Sequence, residues 1–89
     1  GIKDNTLSDL RLFPNPATNE ITINVMSKEN ANGTLTVTNI MGQVIYSENI
    51  AIENGNNQYQ VSVSDFGAGF YMATIRTQAG STTQKFIVR

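Results

Sequence analysis

Apolar and polar residues alternate along most of the chain, and this period of two decides what it can fold into. Successive side chains of a β-strand point to opposite faces, so alternation predicts strands with one buried face. The clearest case is Glu20–Met26, where Ile21, Ile23 and Val25 are the apolar members. Turn signals separate such segments about every 8–14 residues, the spacing of all-β domains. The sequence therefore predicts seven short antiparallel strands, at residues 10–13, 20–26, 34–40, 43–48, 58–63, 70–75 and 81–89.

The sixth of these segments is apolar on both faces. Tyr71, Ala73 and Ile75 share one face, while Phe70, Met72 and Thr74 share the other. A strand of this kind lies in the middle of a sheet, so we expect its neighbours in sequence to flank it.

Two glycines precede this strand, Gly67 and Gly69, and allow backbone angles that residues with a Cβ avoid. A tyrosine at a strand entrance resembles the corner of immunoglobulin-like sandwiches, where its hydroxyl bonds to upstream backbone. The prediction is an all-β, seven-stranded antiparallel immunoglobulin-like β-sandwich with a structural role for Gly69 and Tyr71. A small closed barrel is the alternative.

Turn residues mark the connections between the strands. Pro14-Asn15-Pro16 ends the first strand in a stiff corner, because proline lacks an N–H and restricts the residue before it. Asn32-Gly33 and Asn54-Gly55 predict hairpin turns, and Met41-Gly42 predicts a tight turn between the two arms of a hairpin. The amides of residues 54–57 also suit a cation site, although a hairpin turn is the simpler reading. Residues 1–9 are polar and aperiodic, so they are read as a linker before a domain at 10–89.

The composition excludes several classes of protein. The chain has 89 residues, no cysteine, no histidine and no tryptophan, with a net charge of −1. Its six cations are scattered rather than forming a basic stripe, which argues against nucleic acid as a partner. No segment approaches the roughly 20 apolar residues of a transmembrane helix. We expect one small domain without disulfides.

The side chains show no catalytic or cofactor-binding pattern. Nucleophilic and general-base chemistry usually uses histidine or cysteine, and neither is present. The seven carboxylates form no spaced pair or calcium loop, and the glycines form no phosphate cradle. Asn32-Gly33-Thr34 matches a glycosylation acceptor, a signal that chance often produces. The sequence thus predicts a non-enzyme with no cofactor, no metal and no small-molecule substrate.

Four segments in order resemble one known family. They are residues 12–17 (LFPNPA), residues 37–44 (VTNIMGQV, which contains Gly42), residues 69–71 (GFY) and residues 85–89 (KFIVR). Their order and spacing resemble the type A C-terminal sorting domain of cargo proteins of the type IX (Por) secretion system of Bacteroidota. The resemblance covers residues 10–89. Phe70 stands where that family often has an aliphatic residue.

The resemblance implies a secretion signal that directs an attached N-terminal cargo protein across the outer membrane. Its partners would be the outer-membrane translocon and a sortase-like peptidase, which usually cuts upstream of the domain, close to residues 1–9. The expected location is the periplasm in transit, then the cell surface or the extracellular space.

The last strand suggests how the signal could be read. With nothing downstream to cover it, its edge would offer free N–H and C=O groups to a receptor strand. The hypothesis is that Lys85, Phe86, Ile87, Val88 and Arg89, beside Pro14, Asn15 and Pro16, form the recognised face. In the simpler reading, Phe86 and Val88 close the core and the two cations keep an edge strand soluble.

A second class of function shares the predicted fold. A fibronectin-like or carbohydrate-binding accessory module of a secreted enzyme would also be a small β-sandwich, since a fold does not fix a function. Sugar-binding faces usually present exposed aromatic rings, whereas the tyrosines here lie within strand patterns. A structural spacer is a third possibility.

Overall fold

The computed structural model describes residues 7–89, with side chains from Leu10 onward. It has seven strands and no helix in that range: β1 Leu7–Phe13, β2 Glu20–Ser27, β3 Ala31–Asn39, β4 Val44–Ile52, β5 Gly55–Ser62, β6 Gly69–Thr77 and β7 Gly80–Val88. The all-β prediction with seven strands is confirmed. Residues 1–6 of the predicted linker lie outside the described residues, and β1 begins at Leu7, ahead of the predicted start at Leu10. No helix in the described range has the length and apolar character needed to cross a membrane.

The strands form two separate sheets, which makes the domain a sandwich rather than a closed barrel. One sheet has three strands in the order β1-β2-β5, and the other has four in the order β4-β3-β6-β7. All five ladders are antiparallel. The predicted immunoglobulin-like sandwich is confirmed.

The alternation seen in the sequence places the core between the sheets. Inward residues of β2 and β6 are fully or nearly fully buried, including Ile21, Ile23 and Val25 from one sheet and Ala73 and Ile75 from the other. The remaining buried hydrophobic residues are Leu10, Ala17, Leu35, Val37, Ile50, Ile52, Val61, Val63, Tyr71, Phe86 and Val88. Burial of this apolar surface is the main stabilising contribution to the fold.

Strand β6 lies mid-sheet as predicted, but only one of its neighbours in sequence flanks it. It pairs with β7 on one side and with β3 on the other, whereas β5 belongs to the opposite sheet. The expectation that β5 flanks β6 is therefore wrong. The chain changes sheet between Ser62 and Gly69, a move that strand alternation does not encode.

Neither of two predicted hairpin turns joins a pair of bonded strands. Asn32 and Gly33 lie within β3, and the chain crosses between sheets just before them, at residues 28–30. Asn54 and Gly55 do lie at a turn, but it joins β4 to β5, which are not paired. The Asn54 N–H donates to Asn30 Oδ1 at 2.8 Å, so the two crossings are bonded to each other. The predicted hairpin through Met41-Gly42 is confirmed, since β3 and β4 pair.

Tyr59 links the two sheets on the side away from β1 and β7. Its hydroxyl, on β5, donates to the Ala51 carbonyl of β4 at 2.8 Å. Partial burial raises the pKa of Tyr59, and the nearby carboxylates of Glu53 and Glu48 raise it further. The protonated phenol that makes this bond is therefore the favoured form.

Candidate functional site

The Pro14–Pro16 corner is bonded to the end of β7. The Ala17 N–H donates to the Ile87 carbonyl at 2.8 Å, and the Arg89 N–H donates to the Ala17 carbonyl at 2.9 Å. The Ile87 N–H donates to Asn15 Oδ1 at 3.0 Å. Ala17 is fully buried, so this junction is part of the folded core rather than a loose contact. The structure therefore places the corner beside the terminal residues, as the sequence hypothesis required.

The same bonds correct the prediction of a free edge along the whole last strand. The backbone groups of Ile87 and Arg89 that point away from β6 bond to the corner. This end of the β7 edge is therefore covered. Pro14 and Pro16 have no N–H to donate, and Asn15 and Ala17 make the bonds of the corner to β7. An open stretch of edge would have to lie nearer the start of β7, at Ser81–Lys85.

The residues of the terminal segment divide between core and surface. Phe86 and Val88 point inward and are buried, while Lys85, Ile87 and Arg89 are exposed. The core role that the simpler reading gave to Phe86 and Val88 is confirmed. Only the other three side chains of this segment are available to a partner.

Opposite this segment lies the start of β6. Gly69 faces Val88, Phe70 faces Ile87, and Tyr71 faces Phe86. The Tyr71 ring stacks on the Phe86 ring at a centroid distance of 5.8 Å and contacts the Phe66 ring at 5.3 Å. These rings hold the end of β7 against β6.

Tyr71 is a structural residue. Its hydroxyl donates to the Gly67 carbonyl at 2.6 Å, four residues upstream. This is the backward bond predicted from the corner tyrosine of immunoglobulin-like sandwiches, and the prediction is confirmed. The Tyr71 hydroxyl therefore stabilises the turn before β6 by bonding to its backbone.

Gly69 has a backbone angle that favours glycine. Its φ is +149°, whereas Gly67 has no positive φ, so the expectation of a special conformation holds for Gly69 only. We expect Gly69→Val to lower the free energy of unfolding by about 1–3 kcal/mol through backbone strain. The space around Gly69 is open, so a steric clash would not contribute. Thermal or denaturant unfolding measures the effect, and an unchanged stability would show that Gly69 is an ordinary residue.

A tight turn from Asn39 to Gln43 lies next to these strands. Asn39 Oδ1 accepts from the N–H groups of Met41 and Gln43, and the Gly42 N–H donates to the Asn39 carbonyl at 2.9 Å. Gly42 has φ +82°, a conformation that side chains other than glycine rarely adopt. Asn39 was not singled out from the sequence as a site residue, although an asparagine opening a glycine turn is a recognised signal.

The four segments of the sequence motif thus meet at one end of the sandwich. The turn with Gly42, the start of β6 and Lys85 line one shallow depression. The corner with Asn15 is bonded to Ile87 next to it. Residues separated by up to 72 positions in the chain are brought together here. We call this region the motif end.

The described residues hold no group of three or more acidic, histidine or cysteine side chains that suits a metal ion. A surface depression of about 650 Å³ lies at the far end of β6 from the motif end. Arg76 is the charged residue among those that line it, beside amides and hydroxyls such as Asn32, Asn49 and Thr34. Its side chains offer hydrogen bonds but no nucleophile or general base.

The fold is a small β-sandwich domain in which the four motif segments lie at one end. The family model of the secretion system C-terminal sorting domain matches residues 11–89, and the chain belongs to that family. It is a C-terminal secretion signal for type IX secretion, and this signal implies export to the cell surface or the extracellular space. The family is one of signals rather than of catalytic domains.

Solved structures show the same fold inside larger proteins. Dimeric latent PorU from Porphyromonas gingivalis is similar with a TM-score of 0.75 and 20% identity, over 90% of this chain and 9% of that one. A β-glucosidase from Kluyveromyces marxianus is similar with a TM-score of 0.55 and 11% identity, over 93% of this chain and 14% of that one. No curated protein matches the chain. At these identities the two structures support the fold alone.

Proposed function

We propose that the motif end is the part of this sorting signal that the secretion machinery reads. The recognised residues are the exposed Lys85, Ile87 and Arg89, together with the corner at Pro14, Asn15 and Pro16. Phe86 and Val88 support them from the core. The domain is read in the periplasm while attached to an N-terminal cargo, passes the outer membrane through the translocon, and is separated by a sortase-like peptidase that cuts upstream of the sandwich.

The observation that carries this proposal is the junction of the corner with β7. The bonds of Asn15 and Ala17 to the last residues of β7 hold the corner and the terminal residues together as one surface. The junction fixes the positions of Ile87 and Arg89, and a preorganised surface loses less conformational entropy on binding. Arg89 and Lys85 add positive charge that guides an acidic partner.

A fusion experiment tests the function. Residues 1–89 are joined to the C-terminus of a folded reporter that carries a periplasmic signal peptide, in a Bacteroidota strain with type IX secretion and in a strain without it. We expect the reporter at the surface or in the medium only in the first strain. A reporter retained in the periplasm of both strains would refute the function.

Point variants test the assignment of residues. We expect Ile87→Ser combined with Arg89→Glu to reduce export of the fusion. The matched control is Gln58→Ser combined with Gln60→Glu, at exposed positions of β5 on the other sheet, which should be exported normally. Melting temperatures of the purified fusions establish that each variant is folded. Normal export of a folded Ile87/Arg89 variant would contradict the assignment.

A further inference from the structure

We propose that the outward face of the four-stranded sheet, at the motif end, docks a protein surface that presents an apolar side chain flanked by carboxylates. This deepens the proposed function and rests on it, because the partner would be a component of the same machinery. The face is formed by the apolar patch, which we define as Ile40, Val44, Phe70, Met72 and Ile87.

The members of the apolar patch lie close together on the outward face of the sheet. Val44, Thr38, Met72 and Lys85 occupy one row of paired positions, and Phe70 pairs with Ile87 in the next. Ile40 is 80% exposed, Val44 57%, Phe70 50% and Met72 44%. The outward face of the three-stranded sheet is mostly polar, with amides such as Gln58 and Gln60. A grouped apolar patch on one face marks an interaction site, whereas single exposed hydrophobic residues do not.

The centre of the patch is a shallow depression. It measures about 170 Å³ and is lined by side chains that include Ile40, Phe70 and Met72, with Lys85 at its margin. Small-molecule pockets usually measure about 300–1,000 Å³, so this one is too small for most ligands. A depression of this size suits a single anchoring side chain of a protein partner.

The charged residues of this face indicate which residues of the partner surround its anchoring side chain. Within β3, β4, β6 and β7, which the structure describes in full, no outward position is Asp or Glu. Lys85 is the cation beside the apolar patch, and Arg76 lies at the far end of the same face. Glu48 on β4 is opposite the buried Leu35 and so belongs to the inward side. The Lys85 ammonium lies 5.4 Å from the centre of the Phe70 ring, at the edge of the patch. A complementary partner carries carboxylates around its apolar centre.

Two other occupants fit the face less well. A second copy of the chain would set cations against cations with no carboxylate on either face. Anionic membranes attract clusters of about 4–8 basic residues, whereas this face has two. A protein partner with acidic residues is the occupant that the charges favour.

Opposite charges placed at one exposed position test the proposal. We expect Val44→Asp to reduce export of the reporter fusion roughly tenfold or more, because a like charge at an interface suppresses association. Val44→Lys should be exported much better than Val44→Asp. The same pair at Ser47, in the neighbouring row of the same face, is the matched control and should change export little. Val44 lies outside the corner and the terminal segment, so these variants leave the other proposed contacts intact.

The outcomes separate the two proposals. If the unmodified fusion is not exported, the proposed function fails. If it is exported and a folded Val44→Asp variant is exported equally well, the docking proposal is overturned while the function stands. Two further results would also overturn it: sedimentation of the purified unmodified fusion as a dimer that Val44→Asp dissociates, or its pelleting with phosphatidylethanolamine–phosphatidylglycerol vesicles that Val44→Asp abolishes.

Discussion

Phe86→Ala is expected to lower the free energy of unfolding by about 3–5 kcal/mol, the usual cost of truncating a fully buried aromatic side chain. Phe86 is fully buried, and its ring stacks on that of Tyr71. Because Tyr71 also contacts Phe66, the alanine would open a cavity beneath the whole start of β6. Small domains have total stabilities of about 5–15 kcal/mol, so the variant would be close to unfolding. Denaturant titration followed by circular dichroism measures the loss.

The next residue provides the matched control. Ile87 lies on the opposite face of the same strand and is 36% exposed. Ile87→Ala should cost only about 1–2 kcal/mol, because a side chain that is partly in water buries less apolar surface than a fully buried one. Equal losses for the two variants would contradict the division of the terminal segment into core and surface residues.

This division changes how recognition of the terminal segment can be studied. Deleting Lys85–Arg89 removes two buried side chains and the bonds to the corner, so it removes part of the fold as well as part of the surface. Loss of export after such a deletion would report on unfolding. Substitutions restricted to exposed side chains separate the two effects.

Features that depend on local sequence were predicted correctly. The bond of the Tyr71 hydroxyl to Gly67 and the bond that closes the Gly42 turn from Gln43 to Asn39 each join residues four positions apart. Alternation in β2 identified Ile21, Ile23 and Val25 as core residues, because one strand face must be buried.

Features that depend on residues far apart in the sequence were not predicted correctly. The Asn32-Gly33 pair has the chemistry of a hairpin turn, but it lies in a strand that pairs with β4 and β6. Local turn preference was overridden by pairing on both sides of the strand. The bond that covers the end of the β7 edge joins residues 72 positions apart, and no local sequence pattern predicts it. The exposed apolar face of the four-stranded sheet could not be predicted either. The sequence of β6 shows that both of its faces are apolar, but not which of them packs against the core.

Gly33→Val is expected to destabilise the domain by about 3 kcal/mol or more, at the upper end for overpacking a well-packed site. A Cβ at Gly33 would lie 2.7 Å from the Arg76 carbonyl oxygen, 3.1 Å from Thr77 Cγ2 and 3.2 Å from Ile52 Cδ1. The closest of these is backbone of the paired strand, so the ladder itself must move. Gly67→Ala is the control, because its Cβ would meet nothing nearer than the Tyr71 hydroxyl at 3.8 Å. Denaturant unfolding should show that control to be neutral or slightly stabilising, through a less flexible unfolded chain. Equal stability of the Gly33 variant and the wild type would mean that β3 does not approach β6 as closely as described.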